Sequence, residues 1–189
     1  MSTLFISDLH LDDSRPKITD LFLDFLKHDA AEAEALYILG DFFEAWLGDD
    51  DDSELRKIVT QALRKLSDKG VPVFFMRGNR DFLIGQNFAK RGGLQLLPDP
   101  CVLVLYGKPT LLMHGDLLCS DDTAYQVFRA QVRSDVWQAQ FLSQPLAARR
   151  AFAAQARTAS KQHQSGLMND QQENIMDVTQ TTVQALMKR

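Results

Sequence analysis

The chain has 189 residues, 45% of them hydrophobic and 24% charged, with a formal net charge of −4. That balance fits one globular domain with a real core, excludes a low-complexity chain, and carries no overall nucleic-acid footprint. No apolar run approaches the roughly 18 residues of a membrane span, and Asp8 arrives too early for a signal peptide.

The first strand is expected over about Thr3 to Ser7, and Pro16 then opens a helix whose Ile18, Leu21, Phe22, Phe25 and Leu26 share one apolar face. Ala35 to Leu39 reads as a short buried strand entering Gly40-Asp41-Phe42-Phe43-Glu44. The acidic run Asp49 to Asp52 reads as a solvated turn, since it lacks the spacing of a calcium loop. Ser53 is placed to cap a helix carrying Leu55, Ile58, Val59, Ala62, Leu63 and Leu66, with Gly70 as its stop. Val73 to Met76 is the third strand, leading into Arg77-Gly78-Asn79-Arg80-Asp81. Beyond Gly92-Gly93, Cys101–Tyr106 and Thr110–Met113 read as a hairpin turning through Gly107-Lys108-Pro109. His114-Gly115-Asp116 follows at once. Asp121 to about Ser165 is helical: Tyr125, Phe128 and Val132 share a face, and Pro145 starts a helix through Phe152. After a polar stretch from Gly166 to Asn174, a last helix ends at Met187-Lys188-Arg189. Strands alternating with helices predict an α/β fold of right-handed βαβ units with a largely parallel sheet, to which the second half adds antiparallel strands. Cys101 and Cys119 lack metal or redox spacing, so reduced, inert thiols and a cytoplasmic location are expected.

Four apolar strands therefore end in Asp, Asn or His, where open α/β sheets place ligands. Asp8 and His10 stand two apart, so on a regular strand they would share a face. Asp41 offers two oxygens able to bridge two cations, Asn79 a neutral carbonyl oxygen, and His114 another imidazole. Mixed oxygen and nitrogen donors without thiolate point to Mn²⁺, Fe²⁺ or Zn²⁺. Two such ions about 3.5–4 Å apart can hold the attacking and leaving oxygens of a phosphoryl transfer.

These motifs resemble those of the calcineurin-like metallophosphoesterases: Asp8 and His10; Gly40, Asp41 and Glu44; Gly78 and Asn79; and the lone His114 all match. Arg80 stands where most members carry His. With Ile-Ser-Asp-Leu-His-Leu, Leu-Gly-Asp-Phe-Phe-Glu-Ala-Trp and Leu-Met-His-Gly-Asp, that Arg is similar to the family's pyrophosphohydrolases of UDP-2,3-diacylglucosamine in lipid A synthesis. The resemblance implies a layered β-sandwich flanked by helices: a core over 1–121, a helical lid over 122–165, and a return to the core over 166–189. It implies Asp8, His10 and Asp41 on one Mn²⁺ and Asp41, Asn79 and His114 on the other. A hydroxide between the ions would cleave the substrate to UMP and 2,3-diacylglucosamine 1-phosphate. Arg80 would pair with phosphate oxygens, which a planar fork of donors suits and which bars it from acting as a general acid. Glu44 and Asp116 are expected behind the ligands or in solvent. Asn79, Arg80, Asp122, Tyr125, Ser160 and Gln164 fall where that family contacts substrate.

Between Arg129 and Lys161 the cations Arg129, Arg133, Arg149, Arg150, Arg157 and Lys161 alternate with apolar residues and face Asp135 as the counter-charge. The implied partners are the UDP-linked diacylated sugar lipid and an anionic membrane surface, touched peripherally at the cytoplasmic face of the inner membrane. The family's final Gly-His-x-His motif is absent from these residues, which hold four histidines. That reads as a C-terminally shortened enzyme, with fewer ligands per ion and a sheet edge open to self-association. Two alternatives stay open: a metallophosphoesterase for a soluble phosphodiester, and a non-catalytic remnant that binds its ligand.

Overall fold

The computed structural model describes residues 2–169 and 177–188, with the side chains of 161 and 163–169 outside the description. The chain divides into two compact units, Met1–His114 and Gly115–Arg189.

The first unit is built on β1 (Thr3–Ile6), α1 (Pro16–Lys27), β2 (Ala35–Ile38), α2 (Glu54–Asp68), β3 (Val73–Met76), α3 (Gln86–Gly92) and β4 (Leu94–Leu97). The four strands pair in parallel in the order β1-β2-β3-β4, as the alternation of strand and helix requires. β2 is buried on both faces, which is why its sequence shows no alternation. Leu36, Ile38, Val73 and Phe75 lie buried on one side, where Phe22, Phe42, Phe75 and Phe88 meet edge to face. The other face carries the stack Phe5–Tyr37–Phe74 and packs against the hairpin of β5 (Cys101–Leu105) and β6 (Lys108–Leu112) through Met76, Leu97, Cys101, Leu103 and Leu112. Parallel sheet, helices and antiparallel hairpin form the expected layers.

Three local expectations are corrected, and two elements join those expected: α3 is short, and β4 follows it directly through Gly93, which caps it at φ 68°. The hairpin turns one residue earlier than expected. Tyr106 (φ 51°) and Gly107 (φ 81°) are both left-handed, the two-residue turn that suits strand twist, so Lys108 and Pro109 pair with Leu105 and Val104. The acidic run is not solvated throughout. Asp49 accepts from Trp46 Nε1 (3.1 Å), Gly85 N (3.0 Å) and Phe88 N (2.9 Å), which caps α3. Asp51 is buried against Arg56 (3.3 Å). Ser53 precedes α2 but makes no side-chain cap; its hydroxyl accepts from Arg56 Nη1 instead (2.7 Å).

The second unit is helical: α4 (Thr123–Val132), α5 (Asp135–Leu142), α6 (Leu146–Asn169) and α7 (Gln180–Met187). α6 continues well past Phe152, through the first residues of the expected polar stretch; 170–176, with the rest of that stretch, lie outside the described residues. Trp137, Phe141 and Phe152 form an aromatic cluster, and Asp116 is a buried charge in the same unit. Among the described residues, no helix is long and apolar enough to cross a membrane.

Candidate metal centre

The centre assembles where the parallel sheet stops. Pairing of β1 with β2 ends at Ile6 and Ile38, yet the two chains stay zipped beyond it. Asp8 N donates to Gly40 O (3.1 Å), His10 N to Asp41 O (2.9 Å), Leu11 N to Phe42 O (2.8 Å) and Glu44 N to Leu11 O (3.1 Å). Asp8, His10 and Asp41 take φ of 57°, 48° and 50°, a left-handed backbone that costs an L-residue about 1 kcal/mol or more. This corrects the expectation that Asp8 and His10 share the face of a strand. They lie past its end, and three left-handed turns, not β alternation, swing the side chains together. Donor atoms of Asp8, His10 and Asp41 lie within 4.8 Å of one another.

Phe42 and Phe43, both buried, peg the backbone beside Asp41. The third loop reaches Asp41 from β3: Arg80 N donates to its Oδ1 (2.9 Å). Gly78 passes so near that a Cβ there would stand 2.2 Å from Asp41 Oδ1. Asn79, on the same loop, is half-buried. His114, past β6, places Nε2 3.6 Å from Asp41 Oδ1, while its Nδ1 meets the Leu39 carbonyl oxygen at 2.8 Å. A carbonyl only accepts, so Nδ1 carries a proton, and Nε2 is the nitrogen turned toward Asp41. Asp41 is therefore the hub. Burial raises its pKa, against the pull of His114, the Arg80 amide and His10, while Asp8 adds to the rise.

Sequence reasoning missed Asp81. It is fully buried and accepts from Phe42 N (2.8 Å) and Gly78 N (2.7 Å), with Phe43 N also bonded, so one carboxylate ties the Asp41 loop to the Asn79 loop. Burial, then the charge of Asp41, pushes its pKa up to about 6. The signal was its place in Gly78-Asn79-Arg80-Asp81, two residues past Asn79, an expected ligand. Glu44 is half-buried and faces His10 Nδ1 at 3.2 Å, rather than standing free in solvent.

Asp116, Asp122 and Tyr125 belong to the second unit. Asp116 is buried and takes hydrogen bonds from the Tyr125 hydroxyl (2.6 Å) and Arg129 Nε (2.8 Å), with Arg133 at 3.4 Å. Burial works to raise its pKa, but these partners outweigh it and hold the carboxyl below its ordinary range. Asp122 caps α4 by accepting from Tyr125 N (3.0 Å). Ser160 lies half-buried on α6, and the Gln164 side chain lies outside the described residues. Of the basic residues expected on a lid, Arg129 and Arg133 face Asp116, and Arg149 is buried with Nε on the Gln144 carbonyl (3.0 Å).

The donor set fits a divalent cation: hard carboxylate oxygens and imidazole nitrogens, no thiolate, and a histidine whose second nitrogen is already fixed.

Comparison with known proteins agrees. The family model for calcineurin-like phosphoesterases matches residues 1–160. A protein of Stenotrophomonas maltophilia (strain K279a), named UDP-2,3-diacylglucosamine hydrolase, is 60% identical over 192 residues, covering 100% of this chain and 77% of that protein. One of the same name from Xanthomonas oryzae pv. oryzae (strain PXO99A) is 62% identical over 179 residues, covering 95% and 72%. Another, from Xanthomonas campestris pv. campestris (strain B100), is 60% identical and covers 100% and 78%.

Proposed function

The chain belongs to the calcineurin-like phosphoesterase family, and on that premise we propose that it hydrolyses the pyrophosphate bond of UDP-2,3-diacylglucosamine. The products are UMP and 2,3-diacylglucosamine 1-phosphate, and the reaction belongs to lipid A biosynthesis. The observation that carries the reading is the gathering of Asp8, His10 and Asp41 donor atoms within 4.8 Å, in a chain some 60% identical to proteins named for that hydrolysis.

In this reading Asp8, His10 and Asp41 hold one divalent cation and Asp41, Asn79 and His114 a second, with manganese as the metal. When bound, such cations supply Lewis acidity and make water nucleophilic at neutral pH. The protein's own groups do the remainder. Asp41 would be shared by both cations, and its buried carboxylate is held in place by the Arg80 amide. His114 offers Nε2 because Leu39 O holds its other nitrogen. Arg80 grips the pyrophosphate oxygens as a permanent cation, with its backbone tied to Asp41 and to Trp46 N (3.1 Å). No general acid is required, since the leaving phosphate is a weak base.

The reading extends to location. The enzyme works at the cytoplasmic face of the inner membrane, in peripheral contact with anionic lipid. Exposed Val127, Val136 and Leu142 on the helical unit support this; its cations support it less, three of them being turned inward. Self-association is supported by Val102 and Val104, each 68% exposed on β5.

The test is release of UMP in Mn²⁺ from UDP-2,3-diacylglucosamine and from a soluble UDP-sugar. A preference of at least tenfold for the lipid is expected. Equal turnover would favour a phosphoesterase for soluble diesters, and binding without UMP release would favour a non-catalytic role.

A further inference from the structure

The two histidines of the centre need the same preparation. An imidazole binds a cation only through a nitrogen that carries no proton, so the other nitrogen must hold it. For His114 the Leu39 carbonyl sets this arrangement. For His10 the corresponding nitrogen is Nδ1. It is sealed from solvent and has no well-aligned hydrogen bond, yet Glu44 Oε2 stands 3.2 Å away. On the opposite side of the ring, His10 Nε2 lies 3.8 Å from Asp41 Oδ2. Glu44 is itself restrained. Arg15 Nη2 is 3.6 Å from the same Oε2 and donates to the His10 carbonyl, and the Glu44 backbone is zipped to Leu11. One guanidinium thus binds the residue to be oriented and the carboxylate that orients it.

We propose that Glu44, held by Arg15, is a positioning residue that fixes His10 as its Nδ1–H tautomer and turns the Nε2 lone pair toward Asp41. The inference rests on the metal-site reading above. It adds a step to it: the loop that supplies Asp41 also prepares His10, so a substitution at a residue that touches no cation weakens cation binding. A carboxylate accepting from a ligand's second nitrogen also makes the first more basic, and loss of such a partner costs roughly 10- to 100-fold in affinity.

The tautomer is read directly by long-range ¹H–¹⁵N NMR of the metal-free protein with the imidazole neutral, and affinity by calorimetric titration with Mn²⁺. Wild type is expected as the Nδ1–H form at His10. Glu44→Ala should shift His10 to the Nε2–H form or a mixture and weaken Mn²⁺ roughly 10- to 100-fold. Glu44→Gln should keep Nδ1–H, because Arg15 only donates and therefore draws the amide oxygen to the place now held by Oε2. It should lose less affinity than Glu44→Ala. An Nε2–H His10 in wild type or in Glu44→Gln overturns the proposal. So does a Glu44→Ala protein with unchanged tautomer and affinity. If Glu44→Ala does not fold, the other two spectra decide. Asp8→Ala, which leaves Glu44 in place, separates the two readings. Retained Mn²⁺ affinity there refutes the metal site itself, whereas lost affinity beside an unchanged Glu44→Ala refutes only the positioning role.

Discussion

Asp81 touches no expected ligand through its side chain, yet three backbone amides from two site loops converge on its carboxylate. Replacing it with Ala would strand buried N–H groups at about 1–3 kcal/mol each, so Asp81→Ala is expected to lose roughly 4 kcal/mol in urea denaturation. A loss under 1 kcal/mol would mean that the loops hold one another without it. Gly78 is constrained for a different reason. Its backbone is ordinary, but a Cβ would stand 2.2 Å from Asp41 Oδ1 and 2.3 Å from Asp41 N, neither of which can yield without moving the hub. Gly78→Ala should therefore cut Mn²⁺ affinity at least tenfold by calorimetry, and an unchanged titration would show that Asp41 has freedom to shift.

At the scale of elements, α3 depends on an acceptor from a distant loop. Asp49 takes both Gly85 N and Phe88 N at its start, so Asp49→Ala should cost about 2 kcal/mol and lower hydrogen-exchange protection in Gln86–Gly92 before the rest of the unit. Uniform loss of protection would argue against a local cap. The same residue shows where reading the sequence reached its limit. Strands β1 to β3 and helices α1 and α2 were legible because apolar runs and helical periodicity are local signals, and the residue types that follow each strand exposed the candidate ligands. Asp49 looked like part of a solvated run because the two amides it caps lie 36 and 39 residues away. Asp8 and His10 looked like alternate strand positions because nothing in Ser-Asp-Leu-His announces left-handed backbone. Arg149 looked like a surface cation because nothing in the local pattern announces that it is buried with its Nε on the Gln144 carbonyl.

On the scale of the whole molecule, the two units are held by different physics. The first has an aromatic core beneath a sheet; the second holds the buried carboxylate of Asp116 against Tyr125, Arg129 and Arg133. Because the folded pKa of Asp116 lies below its ordinary value of 3.8, its contribution is complete above pH 3.8 and is lost as pH falls through the lower folded value. Urea midpoints measured by helical circular dichroism at pH 6 and pH 3 should therefore differ, and in Asp116→Asn that difference should shrink while stability at pH 6 falls by about 3 kcal/mol. An equal pH dependence in both proteins would assign the acid sensitivity elsewhere.

The claim underneath all of these is that one carboxylate, Asp41, joins loops from β1, β2, β3 and β6 into a single cation-binding centre. Elemental analysis of Mn²⁺ retained by wild type and by a folded Asp41→Ala variant tests it most directly. Loss of every bound ion in the variant is the predicted result, and retention of either ion would contradict it.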